Sequence, residues 1–224
     1  MLTPYDWQEG IGHRAAFVEG RLIEGAPVLA LSLADGIVLF SYRRHARKIY
    51  EIYNQLAFSA IGQQSDIEAL RIAALEFAHQ EGYNRSENDV TIRRVVTALS
   101  GPMKRAFADF SSPPFVARTL FAEVGKKPEE DIYSILDYDG DFTMRRNFAY
   151  VTGTDEHADE LKKALQELRE QNLSMEAAQT ALKDLWDKTF IVERPEGFEP
   201  EAVFLERSAD RVNRFVLLTP DEVS

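Results

Sequence analysis

The chain has 224 residues, 45% hydrophobic and 28% charged, enough to bury a sizeable core and better suited to one large domain than to two small ones. Its net charge of −11 argues against nucleic acid as a partner, since phosphate binding needs a basic face, and the absence of cysteine excludes a disulfide framework, a thiolate zinc site and a cysteine nucleophile. The start "MLTPYDWQEGIGHRAAF" lacks a signal peptide's basic and apolar blocks, and no run approaches the ~18 apolar residues of a membrane span, so the expectation is a cytoplasmic chain with no membrane partner.

Residues 7–24 read as a helix after a short tail, 1–6. Asp6 is a candidate N-cap with Glu9 three residues later, and Ile11, Ala15, Val18 and Leu22 fall at helical spacing. Gly10, Gly12 and Gly20 each weaken it by ~1 kcal/mol relative to Ala, so it needs packing partners. "APVLALSL", Asp35-Gly36 and "IVLFSY" form a hairpin signal. The runs are almost continuously apolar, which predicts a sheet covered on both faces. "RKIYEIYN" and "QLAFSAIG" predict a second strand pair, turning near Asn54.

A helix over 65–82 carries Ile67, Leu70, Ala74 and Phe77 on one face, with Gly82 as its stop. Ser86 is placed as the cap of a helix over 87–109, which Pro102 should kink or split. "FVARTLFAEV", "DIYSILDYDG" and "FTMRRNFAYVTG" predict three strands, with a turn at Asp139-Gly140. Helices follow over 155–170 and 174–188, the second capped by Ser174. "ERPEGFEPE" reads as a polar loop before the closing strands "AVFLERSA" and "RFVLLT". Strands come as antiparallel hairpins and helices as consecutive pairs, which is not βαβ alternation. The predicted class is α+β: a four-layer α-β-β-α sandwich of two antiparallel sheets with an extra N-terminal helix, over 1–224 as a single domain with the sandwich at 25–224.

The succession "EGAPVLALSLADGIVLFS" and "KIYEIYNQLAFSAIGQQSDIEALRIAALEFA" resembles an α-type subunit of the proteasome core particle, in its bacterial form, on the N-terminal-nucleophile hydrolase fold. The likeness covers residues 7–188 well and rests on the order and spacing of the elements rather than on one motif. Catalytic members of that family begin their first strand at a free N-terminal threonine, whose hydroxyl attacks the peptide carbonyl. Here the matching position is Ala26-Pro27, so the resemblance implies a non-catalytic subunit. It further implies a heptameric ring, a stacked ring of β-type subunits, control of substrate entry and docking of a ring-shaped ATPase activator. An alternative is a stand-alone amidohydrolase, or a degenerate scaffold, on the same fold.

The resemblance also nominates residues. Lys48 matches a lysine that lines a pocket for the activator's C-terminal carboxylate, and Gly25 matches the glycine before the first strand. Tyr5-Asp6, with Trp7, carries two readings, a helix cap and a gate at an axial pore. Arg43, Arg44, His45 and Arg47 read as solvated edge charge. No metal or cofactor is expected: His13, His45, His79 and His157 show no ligand spacing, and "DYDGD" at 137–141 lacks the ligand series of a calcium loop. Ser100, Ser111 and Ser112 show no pattern with His or Lys that suggests a triad, and the acidic run Asp155, Glu156, Asp159 and Glu160 reads as helix-dipole complement.

Overall fold

A computed structural model describes residues 4–190, 197–208 and 210–218. The expected tail residues 1–3, positions 193–196 of the expected loop, and Ala209 and Thr219 of the expected closing strands lie outside the described residues. The architecture is the expected α-β-β-α sandwich. One sheet has the order β10-β9-β2-β1-β8 and the other β3-β4-β5-β6-β7, and every neighbouring pair is antiparallel. The strands are β1 Val28–Ser32, β2 Gly36–Arg43, β3 Ile49–Tyr53, β4 Leu56–Gly62, β5 Ala117–Glu123, β6 Ile132–Leu136, β7 Phe142–Arg145, β8 Phe148–Val151, β9 Glu199–Glu206 and β10 Phe215–Leu218. Helices α2 Gln64–Asn84 and α3 Ile92–Ala108 cover the second sheet, while α4 Ala158–Glu170 and α5 Met175–Phe190 cover the first. This double coverage is why β1 and β4 carry almost no polar alternation.

Several boundaries move, each for a local reason. Helix α1 spans Pro4–Leu22, so Tyr5 and Asp6 belong to its first turn and Asp6 is not its N-cap. Proline suits a helix's first positions because its missing N–H costs nothing there. "FTMRRNFAYVTG" is two strands in different sheets: the chain leaves β7, turns through Asn147 at φ 70° and enters β8. Asparagine tolerates that left-handed backbone better than most residues. Ser86 caps a single 3₁₀ turn by accepting from Asn88 N, and α3 starts later, where Ile92 N donates to the Glu123 carboxylate of β5 at 2.7 Å. Pro102 faces solvent and α3 stays continuous through it, since a carbonyl it leaves unbonded can be hydrated there. Gly82 does not end α2; the Tyr53 hydroxyl occupies the space a Cβ would need. Helix α4 starts at Ala158 rather than 155, and Asp159 and Glu160 fall in its first turn. The expected loop residues 199–201 are already strand, paired with the end of β2. Two expected features stand as read: Gly140, at φ 85°, makes the β6–β7 turn, and the Ser174 hydroxyl accepts from Ala177 N.

Helix α1 lies across one end of the sandwich. Val18 and Leu22 are fully buried in the inter-sheet core with Ile61, Phe107, Val116 and Tyr138. Its first half is clamped to the segment after α3. Trp7 meets Phe110 edge-on at 5.0 Å, and the Phe110 ring lies over Gly10, where a Cβ would fall 2.7 Å from it. Arg14 donates to the Ala106 and Ser112 carbonyls, and the Tyr138 hydroxyl donates to Glu19 at 2.8 Å.

Candidate functional site

Below the C-terminal end of α1 the chain forms a groove of about 190 Å³. Gly25 and Ala26 line it, followed by the connection between β2 and β3 (Arg43 to Lys48), then Gly62, Gln64 and Phe198. Lys48 and Gly25, 23 positions apart in sequence, thus face one space. Gly25 has little room for a side chain: its N–H donates to Leu22 O at 2.9 Å, and a Cβ would fall 2.7 Å from that of Ile61. Its backbone therefore closes the groove without occupying it.

Lys48 is held by its backbone. Its N–H and that of Ile49 donate to the two carboxylate oxygens of Glu201, each at 3.0 Å, and its carbonyl accepts from the Ser59 hydroxyl at 2.8 Å. Three strands, β3, β4 and β9, therefore fix where its side chain begins. The residue is half-buried and its ammonium is crowded by protein. Burial lowers its pKa to about 8, with the Glu201 charge pulling the other way. No carboxylate among the described residues lies within ion-pair distance of the ammonium. Glu201 spends its charge on the two backbone N–H groups and on Arg43, 3.6 Å away.

The neighbouring cations differ from one another. Arg43 is not solvated edge charge: it pairs with Glu199 at 2.9 Å and leans on Glu201. Arg44 lies over the Phe198 ring at 5.4 Å, and the Arg47 carbonyl accepts from the Tyr50 hydroxyl. Arg44, His45 and Arg47 stand exposed on the groove's rim. The rim is therefore positive in an acidic molecule. Glu201 escaped the sequence reading because "ERPEGFEPE" reads as loop. Its position two residues after Glu199 and directly before "AVFLE" was the available signal.

The other nominated residues lie elsewhere. Tyr5 is 84% exposed at the start of α1, and Trp7 is docked on Phe110. Ala26 and Pro27, directly before β1, are held in mid-chain. The Pro27 carbonyl accepts from Ser41 at 2.7 Å and from Trp186 Nε1 at 2.9 Å, and α1 precedes it. The serines serve structure: Ser111 and Ser112 donate to Asp109, and Ser100 donates to Gly140 O. "DYDGD" is the β6–β7 turn, with Asp137 bound to Arg118 at 2.9 Å. Among the described residues no group of His, Asp or Glu is arranged to hold a metal ion, and no helix is long and apolar enough to cross a membrane.

The Proteasome subunit family model matches residues 24–189. The chain belongs to the proteasome subunit family. Its similarity is to the bacterial alpha type. It is 32% identical over 190 residues to "Proteasome subunit alpha" of Kineococcus radiotolerans, covering 83% of this chain and 78% of that one. It is 27% identical over 230 residues to the protein of that name from Streptomyces avermitilis, covering all of this chain and 90% of the relative. The Acidothermus cellulolyticus protein is 27% identical over 218 residues, covering 94% and 92%. This proteasome-family chain thus carries the N-terminal-nucleophile sandwich, with α1 added across its end.

Proposed function

We propose that the chain is a non-catalytic, ring-forming α-type subunit that stacks on a β-type ring, governs substrate entry and docks a ring-shaped ATPase. The observation that carries the docking reading is the shared groove of Lys48 and Gly25 with its positive rim. A fixed ammonium without its own carboxylate is a receptor for a partner's terminal carboxylate, a charge-assisted bond of ~1.5–3 kcal/mol. Entry control rests on the first turn of α1, where Tyr5 is exposed, and on the residues before it. The non-catalytic reading is supported by Ala26 and Pro27 at the head of β1 and by the burial of Val18 and Leu22 between the sheets, where a stand-alone amidohydrolase needs a reachable nucleophile.

Co-expression with a β-type subunit, followed by native mass spectrometry and peptide hydrolysis assays, tests this reading. The expected result is a stacked-ring particle, heptameric in each ring, that cleaves peptides, while the purified chain alone does not. Turnover by the homogeneous chain in proportion to its concentration would overturn it, as would failure of the two chains to associate.

A further inference from the structure

We infer that the Lys48 amine is a nucleophile and an acylation site, taking the acyl group of a small anionic donor such as an acyl phosphate that the rim of the groove seats. Three observations meet here. Lys48 lines a groove large enough for a small acyl group. It has no carboxylate partner among the described residues to hold it as an ammonium. Arg44, His45 and Arg47 crowd the same rim, and none of them has a carboxylate within ion-pair distance among the described residues. Desolvation beside other cations is a recognised way to hold a lysine neutral and reactive. The same cations attract a phosphate.

The charged and titratable groups around the amine are Glu201 from β9, Tyr42 and Arg43 at the end of β2, Arg44, His45 and Arg47 from the connection, Glu24 before β1 and Tyr50 from β3. Glu201 alone raises the amine's proton affinity, and desolvation outweighs it. In the reaction the nitrogen lone pair attacks the carbonyl carbon of the acyl phosphate. An N–C bond forms, the C–O bond to phosphate breaks, phosphate leaves with the electron pair and the ammonium proton passes to water. The product amide has no charge. The inference deepens the docking reading, because acylation would remove the cation that receives the activator. Its test uses no activator, so either reading can fail while the other stands.

The test is reaction of the full-length chain with acetyl phosphate from pH 6.5 to 10, with acetylation of each lysine followed by peptide mass spectrometry. At pH 7.5 about a quarter of an amine with a pKa of about 8 is neutral, against roughly one part in a thousand for an ordinary lysine. Lower basicity costs some intrinsic reactivity, so Lys48 should react on the order of tenfold faster than the exposed Lys162 and Lys163, with a rate that levels off above pH 8. A second arm uses the double variant Arg44→Gln, Arg47→Gln. Its Lys48 should lose several-fold in rate with acetyl phosphate but react as in the unaltered chain with neutral acetyl N-hydroxysuccinimide ester. Lys48 acetylation no faster than that of Lys162 and Lys163 would overturn the inference. Equal loss with both reagents would overturn anion seating by the rim.

Discussion

Lys48 costs the fold something. A lysine whose pKa falls from 10.5 to about 8 on folding binds its proton less tightly in the native state. Between pH 8 and 10.5 the unfolded chain holds more protons, so this group's contribution to stability rises with pH across that window, and its penalty is full below about pH 8. Lys48→Met should therefore raise the urea midpoint at pH 7, with the gain shrinking toward pH 10.5; the same gain at both pH values would show that burial of the charge is not the cause. Such a cost is typical of residues kept for binding rather than packing. The identity of Lys48 as a candidate was legible through the resemblance alone. The Glu201 carboxylate that fixes its backbone was not legible, because it comes from a strand about 150 positions away that begins inside an apparent loop. Arg43 likewise looked solvated because its partners, Glu199 and Glu201, are equally remote in sequence.

Two elements carry most of what sequence patterns missed. Helix α1 was legible as an amphipathic helix but not as part of the sandwich's core. Val18 and Leu22 are fully buried between the sheets, so Leu22→Ala should destabilise the unassembled chain by ~2–5 kcal/mol in urea denaturation. Removing residues 4–22 should then unfold the sandwich rather than merely disassemble a ring, and a cooperative, native-like truncated chain would contradict this. The glycines of α1 separate by what faces them. Gly12 has open space above it, so Gly12→Ala should stabilise the unassembled chain by ~0.5–1 kcal/mol, whereas Gly10→Ala should not, because Phe110 fills the space. Equal gains at the two positions would mean that the Phe110 clamp is absent in solution. The segment 142–153 was read as one strand although the polar run Arg145-Arg146-Asn147 interrupts its apolar residues. The break lies at that run, where β7 ends at Arg145 and Asn147 takes a left-handed backbone angle before β8. Asn147→Val should cost ~1–3 kcal/mol, measured as a lower urea midpoint, and Asn147→Gly should cost much less.

At the scale of the molecule, the sandwich was the most legible feature. Hairpin signals, paired helices and doubly covered strands together fit four layers best, and the observed sheets and helix pairs have that arrangement. The groove was the least legible, since it exists only when the end of α1, the β2–β3 connection and β9 meet at one end of the sandwich. On the proposed docking reading, a positive rim on a chain of net charge −11 would attract the carboxylate of an activator tail. The most direct test is the affinity of an activator tail peptide with a free C-terminal carboxylate for assembled particles, measured by fluorescence anisotropy at pH 7. Particles bearing Lys48→Ala should bind it ten- to a hundredfold more weakly than unaltered ones, since each 1.4 kcal/mol is about a factor of ten, while Lys162→Ala leaves affinity unchanged. Equal affinity for the unaltered and Lys48→Ala particles would contradict the docking site.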